Sequence, residues 1–350
     1  MAPAAIQRFK RPLLESLLAI IVGFIVGAIV MVIFGYDPIA AYSALLIGSI
    51  GSLDGICESL ANATPLMLTG LTFAIGMKSG YFNVGAEGQA YLGAIGAIMI
   101  GSTIHLPYGV HLAVATLFAM LMGAIWSLPV SALKAWRGVH EVVSTIMLNW
   151  IALFFVRYLI EYHYYEPGRA ERAMPVLPTA RYQVLGASLT TVIFVVVAFI
   201  FFAYFLLWRT TLGYELRLTG SNPEAARYIG INSTRVIFLN FFLGGLAAGL
   251  AGATQVLGRP PSWTIYKTLG NVMNLGFDGI GAALIGRNHP VGIIFASIFL
   301  GILSYGAKFM MYLGVDPDLT RAINGVIIIA LSLPELYRIV RRFITGRETE

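Results

Sequence analysis

Long apolar runs separated by short polar stretches dominate this chain. A run that crosses a bilayer as a helix needs about 20 predominantly apolar residues. On that measure the sequence predicts ten spans, over 13–34, 62–79, 88–104, 109–133, 143–161, 189–208, 236–257, 271–286, 290–308 and 321–337. The second, third and eighth are short or broken by glycine. The first run, Leu13–Phe34, is 22 residues long and follows Arg8, Lys10 and Arg11. A signal-peptide core is roughly 7–15 residues, so this run reads as an uncleaved first span.

One polar stretch, Leu212–Arg235, stands out between two strongly apolar runs. It predicts a short helix over Pro223–Ile229, with Asn222 as cap, Pro223 at the first helical position and Glu224 at the positive helix end. Ser221 with Glu224 offers a capping box instead, and Gly230 reads as the stop. Isolated helices under about 12 residues are marginal in water, so this one must lean on something. Ala225 and Ala226 form a small face for close approach, and Tyr228 and Ile229 offer grip. The stretch reads either as a solvated loop or as a docking helix for a cytoplasmic partner.

Composition agrees with the run pattern. Of the 350 residues, 58% are apolar and 11% charged, and mean hydropathy is +0.79. A soluble domain is nearer a quarter charged, so the fold class is an all-α polytopic membrane protein. The single cysteine, Cys57, excludes a disulfide framework or a cysteine metal site within one chain. The net charge of +6 carries no nucleic-acid signal, because the basic residues sit in loops and tails. With the N-terminus inside, fifteen of the 23 basic residues fall on cytoplasmic segments and seven outside, while Arg157 lies within the fifth span. That asymmetry follows the positive-inside rule. It places both termini and the loop 209–235 in the cytoplasm. The whole chain, 1–350, reads as one transmembrane domain, with a long outer loop over 161–187. Tyr162, His163, Tyr164 and Tyr165 open that loop as an interfacial belt or as part of a docking surface. The outer segment Tyr36–Ala61 reads as a helix led by Pro38, lying on the membrane surface.

An internal repeat points to the interior. Asn83-Val84-Gly85-Ala86-Glu87-Gly88 and Asn274-Leu275-Gly276-Phe277-Asp278-Gly279 share the pattern N-x-G-x-(E/D)-G. Five spans separate the copies, so they would be inverted in the membrane. Inverted repeats with glycine-broken helices are a transporter signature. Glu87, Arg157 and Asp278 are costly in lipid and should face protein or water. Asn83, Gln89, Asn149 and Asn274 are polar groups able to hydrogen-bond a solute or to hold helices together. The expected solute pathway is therefore Asn83, Glu87, Gln89, Asn149, Asn274 and Asp278, with Glu87 and Asp278 capping half-helices or meeting Arg157. No lysine follows a glycine, so no P-loop exists; His140-Glu141 lacks the second histidine of a zincin, and nothing pairs a nucleophile with a base.

Three stretches, Gly80–Gln89 (GYFNVGAEGQ), Gly220–Ile231 (GSNPEAARYIGI) and Gly276–Gly292 (GFDGIGAALIGRNHPVG), resemble the permeases of bacterial ABC importers for ribose, branched-chain amino acids and nucleosides. The likeness is nearest to the purine nucleoside branch, with simple sugars next. With the hydropathy it covers most of the chain in order. The resemblance implies a type II ABC importer-like fold in the bacterial inner membrane, with no catalysis and no cofactor of its own. It implies that Gly220, Asn222, Pro223, Glu224, Ala225, Ala226, Arg227, Tyr228 and Gly230 seat on an ABC ATPase subunit. It also implies a second, related permease in a heterodimer and an extracytoplasmic solute-binding protein, all set in membrane lipid. A stand-alone secondary transporter or channel is the rival reading.

Overall fold

The structure is a computed structural model and describes residues 21–332. The expected helix residues 13–20 and 333–337 lie outside these, as do both termini. Among the described residues there are thirteen helices: α1 (Ile21–Ile33), α2 (Pro38–Ile50), α3 (Leu53–Lys78), α4 (Ala86–Thr103), α5 (Val110–Arg137), α6 (Glu141–Tyr162), α7 (Val192–Arg209), α8 (Thr211–Ser221), α9 (Pro223–Tyr228), α10 (Ser233–Leu257), α11 (Leu275–Ile285), α12 (Pro290–Tyr312) and α13 (Pro317–Ser332). Each expected span carries one of them. Six (α3, α5, α6, α7, α10 and α12) are long and apolar enough to cross a membrane. Among the described residues the contacts divide the chain into two compact units, 56–301 and a smaller one made of 21–55 with 302–332.

In the larger unit α4, α5 and α10 pack backbone to backbone. A Cβ on Gly249 of α10 would lie 2.5 Å from the Ala119 carbonyl of α5, and one on Gly93 of α4 would lie 2.2 Å from the Gly249 carbonyl. Only glycine allows this approach, and small residues at helix crossings supply the dispersion contact that lipid-immersed helices depend on. Side-chain hydroxyls tie the same bundle: Thr72 Oγ1 donates to the Gly244 carbonyl at 2.9 Å, and Ser127 Oγ to the Phe241 carbonyl at 2.8 Å. Helix α4 is buried on every side from Ala86 to Ile98. It meets protein all round, so it does not need the uniform apolarity of a lipid-facing span. At 18 residues it is as short as its apolar run in the sequence.

Four expectations change. The second span starts at Leu53, not 62. Glu58 and Asn62 lower the local hydropathy without ending the helix, because they are satisfied there. Glu58 accepts from the Ser188 N–H and hydroxyl and pairs with Arg259, and Asn62 Nδ2 donates to the Glu58 carbonyl. The Pro38 helix exists, capped by Asp37, and ends at Ile50. The long outer loop carries secondary structure of its own. Strands β1 (Tyr165–Glu166) and β2 (Arg169–Ala173) pair antiparallel, as do β3 (Val184–Gly186) and β4 (Leu189–Thr190), with a 3-10 turn at Pro178–Ala180 between them. Arg172 clamps Glu166 across the first hairpin, and its hydrogen bonds hold that carboxyl below the usual range.

The eighth expected span is the largest change. Only Leu275–Ile285 is helical, eleven residues, or about 16 Å at 1.5 Å per residue. That is about half of a 30 Å hydrocarbon core. The segment before it is not helical and is fixed by the outer hairpins. Ala173 N donates to the Ile265 carbonyl at 2.9 Å, Val176 N to Trp263 at 2.9 Å, and Lys267 N to Glu171 at 2.8 Å.

Candidate functional site

The site forms where two helices begin. Helix α4 starts at Ala86 behind Gly85, which offers no side-chain cap. Its first-turn N–H groups therefore need partners from elsewhere. Asn149, on α6, supplies one: its Oδ1 accepts from Gly88 N at 2.9 Å while its Nδ2 donates to the Val84 carbonyl at 3.0 Å. Both faces of this amide hold the α4 entry. Asn83 folds the approach itself, accepting from Gly85 N at 3.0 Å and from Gln89 Nε2 at 3.4 Å.

Helix α11 starts at Leu275 with Asn274 in the left-handed region, φ 69°, and no side-chain cap from its own segment. Asparagine tolerates that conformation better than most residues. The cap comes from α4. Glu87 accepts from Asn274 N at 2.5 Å and from Gly276 N at 2.6 Å, and Tyr91 Oη donates to it at 2.5 Å. Glu87 is only 3% exposed, and a buried carboxylate is tolerable only with such donors. Its charge also faces the positive end of α11. The contact is tight: a Cβ on Gly276 would lie 2.3 Å from Glu87 N.

The two repeat segments thus touch, but they are not equivalent. Gly85 precedes its helix, whereas Gly276 is the second residue of its own. Glu87 is buried and caps the other helix. Asp278 is exposed and caps no helix among the described residues. Arg157 meets neither; its Nε is buried without a hydrogen-bond partner among the described residues.

A cavity of about 260 Å³ opens beside this junction. Glu87, Tyr91, Asn149, Trp150, Arg157, Asn274 and Phe277 line it, with Ile146, Leu153, Phe154 and Met273. Three expected pathway residues, Glu87, Asn149 and Asn274, therefore share one wall. Asn83 and Gln89 sit behind it, each 1% exposed, with Asn83 Nδ2 and Gln89 Oε1 without a hydrogen-bond partner among the described residues. Asp278 lies on the exposed face of α11 but does not line the cavity. Sequence reasoning left out Tyr91, Trp150, Phe154 and Phe277. For α6 a signal existed: Asn149, Trp150, Leu153, Phe154 and Arg157 recur at helical spacing on one face.

The polar stretch is two helices, not one. Helix α8 ends at Ser221, and Asn222 both closes it and caps α9, accepting from Ala225 N at 3.0 Å. The capping box does not form, because Ser221 donates instead to the Leu218 carbonyl at 3.1 Å. Helix α9 is Pro223–Tyr228, with Ile229 as its C-cap and Gly230 at φ 86°. Ala226 anchors it, 1% exposed, whereas Tyr228 is 93% exposed. Glu224, Arg227 and Ile229 are exposed as well. Gly220 rests on the turn after α3: a Cβ there would lie 2.3 Å from the Lys78 carbonyl and 2.8 Å from Gly80 N.

Residues 55–332 match the family described as the permease component of the branched-chain amino acid transport system. The chain belongs to this permease family. It is 34% identical over 341 residues to the guanosine ABC transporter permease NupP of Bacillus subtilis, covering 96% of both chains. It is 31% identical to the nucleoside ABC transporter permease NupB of Lactococcus lactis subsp. cremoris, over 92% of this chain and 91% of that one. The glucose ABC transporter permease TsgB13 of Haloferax volcanii is 29% identical, over 92% and 87%. The permease is thus an ABC transporter subunit and a multi-pass protein of the bacterial inner membrane.

Proposed function

We propose that this permease imports nucleosides as one half of a heterodimeric permease pair, powered by a separate ABC ATPase and supplied by an extracytoplasmic solute-binding protein. The observation that carries this reading is the 34% identity to a guanosine permease over 96% of both chains. The site agrees in kind. An uncharged solute needs no counter-charge, and the cavity offers the Asn274 amide, the Arg157 guanidinium, aromatic faces and a carboxylate already held by donors. Helix α9, with its exposed tyrosine and isoleucine on a buried alanine anchor, has the form of a docking element for the ATPase. ATP-driven closure of the ATPase pair would move α8 and α9, and the permease pair would alternate access around the cavity. Asn83, Gln89 and Asp278 belong to this proposal as supports and flanks of the pathway.

A simple sugar is the second reading, favoured by the glucose permease at 29% identity. Reconstitution of the permease with an ABC ATPase, a second permease and a solute-binding protein from the same organism decides between them. ATP-dependent uptake of labelled guanosine is expected. Uptake of glucose with no nucleoside uptake overturns the nucleoside reading, and uptake without any ATPase overturns the ABC mechanism.

A further inference from the structure

Three features of the cavity are not explained by holding helices together. The first is Arg157. It lines the cavity, and its Nε is buried with no hydrogen-bond partner among the described residues. The adjacent carboxylate does not answer it, because Glu87 is engaged by Asn274 N, Gly276 N and Tyr91 Oη. A guanidinium is a planar fork of donors, and this one has donor capacity left over. The second is Trp150, which lines the same cavity yet is 59% exposed and stacks on Phe154, ring centroids 6.4 Å apart and planes inclined by 26°. The third is the Asn274 side chain, which caps nothing. A face carrying Arg157 and Asn274 cannot rest against lipid without large cost. The exposed Trp150 ring beside them therefore faces a water-filled or protein-lined space.

Resting on the nucleoside reading above, we propose that this cavity receives the base of a 6-oxopurine nucleoside, with Arg157 pairing to its O6 and N7 and Trp150 stacking on its face. The O6/N7 edge is the pair of adjacent acceptors that an arginine fork matches bidentately. Adenine presents an amino donor in place of O6, facing the guanidinium donors, and a pyrimidine has no N7. An aromatic platform holds any base by its π face, so the tryptophan supplies affinity and the arginine supplies choice. The volume agrees. At about 260 Å³ the cavity lies just under the range of roughly 300–1,000 Å³ that encloses drug-sized ligands. It accommodates a bicyclic base and leaves the ribose toward the open side. Asn149 takes no part in this recognition, since both ends of its amide hold the α4 entry.

The test is the maximal uptake rate of the reconstituted complex at saturating solute-loaded binding protein, for guanosine, inosine, adenosine and uridine. Saturation removes the receptor's own selectivity from the comparison. Arg157→Gln is expected to lower guanosine and inosine uptake about tenfold, within the range of one bidentate base contact, and to leave adenosine and uridine within about twofold. Arg157→Lys keeps the charge, lacks the fork, and is expected to shift the guanosine-to-adenosine ratio in the same direction. Trp150→Leu should slow all four alike. The ratio within one variant does not depend on how much complex folds. An unchanged ratio in both Arg157 variants, with nucleoside uptake present in the wild type, overturns this proposal alone. A wild-type complex that carries a sugar and no nucleoside overturns the reading beneath it.

Discussion

Glu87 and Asp278 are aligned in the sequence repeat, and the structure gives them different surroundings. The repeat made both residues legible as interior carboxylates, since each sits in a glycine-rich break within an apolar run. It did not reveal which would be buried, because that depends on a third party, the start of α11. Glu87 meets Asn274 N and Gly276 N there, while Asp278, one turn further on, is exposed. A prediction follows from the donor count. Glu87→Gln replaces one acceptor oxygen with an amide N–H that would face another donor. Leaving a buried polar group unsatisfied costs about 1–3 kcal/mol. Loss of the charge at the α11 N-terminus adds roughly 0.3–1 kcal/mol. Tyr91→Phe removes a single donor and should cost less. Denaturation midpoints of the purified permease in detergent should fall in the order wild type, Tyr91→Phe, Glu87→Gln. A Glu87→Gln midpoint equal to wild type would mean that α4 does not cap α11.

At the scale of elements, the long apolar helices are legible as apolar runs, because burial in lipid or in protein asks for the same run of side chains, although Glu58 and Asn62 hide the start of α3. The shorter ones are legible only where punctuation marks them. Helix α8 was invisible as a helix because Leu212 to Ser221 is mixed in polarity. Its buried face, Gly213, Leu216 and Thr219, carries only one large apolar residue. Helix α9 was legible from its punctuation, one residue too long, because Asn222, Pro223 and Gly230 mark its ends. That small helix stands on Ala226 and on the α8 end. Its outer surface of Glu224, Arg227, Tyr228 and Ile229 is exposed, with Arg227 Nε donating to Ser233 Oγ at 3.4 Å. Glu224→Arg should therefore leave the permease folded and inserted, weakening α9 only by the helix-end term of about 0.3–1 kcal/mol. On the docking reading it should also uncouple the complex. Solute-stimulated ATP hydrolysis of the assembled complex measures this. Stimulation equal to wild type in the variant sinks the docking role of α9.

For the whole molecule, the question is whether a crossing with an eleven-residue helix still counts. The segment 259–274 begins at the outer hairpins, held by Ala173, Val176 and Glu171, and ends at Glu87. Helix α11 then runs on to Gly286, and the His289 ring just beyond it lies 5.0 Å from the Trp208 ring at the end of α7, next to α8. The chain therefore travels from the hairpin end of the bundle to the α8 end, half of the way without helix. Non-helical backbone at such depth is tolerated only where protein or water satisfies it, and the caps from Glu87 together with the Thr264 bond to the Ala173 carbonyl at 2.7 Å do so here. If the segment crosses, α12 begins on the α8 side, and a further crossing by α12 would put a reporter after Gly314 on the opposite side of the membrane. Basic residues favour the cytoplasm for the α8 side. Reporter fusions after Gly138, Ala180, Gly220 and Gly314 should then read inside, outside, inside and outside. The last fusion is the sensitive one, because the first three do not depend on α11. A Gly314 fusion that reads inside would show that residues 259–285 enter and leave by the same face. It would also remove the inverted relation between the two N-x-G-x-(E/D)-G segments, since their flanking helices would no longer cross in opposite senses.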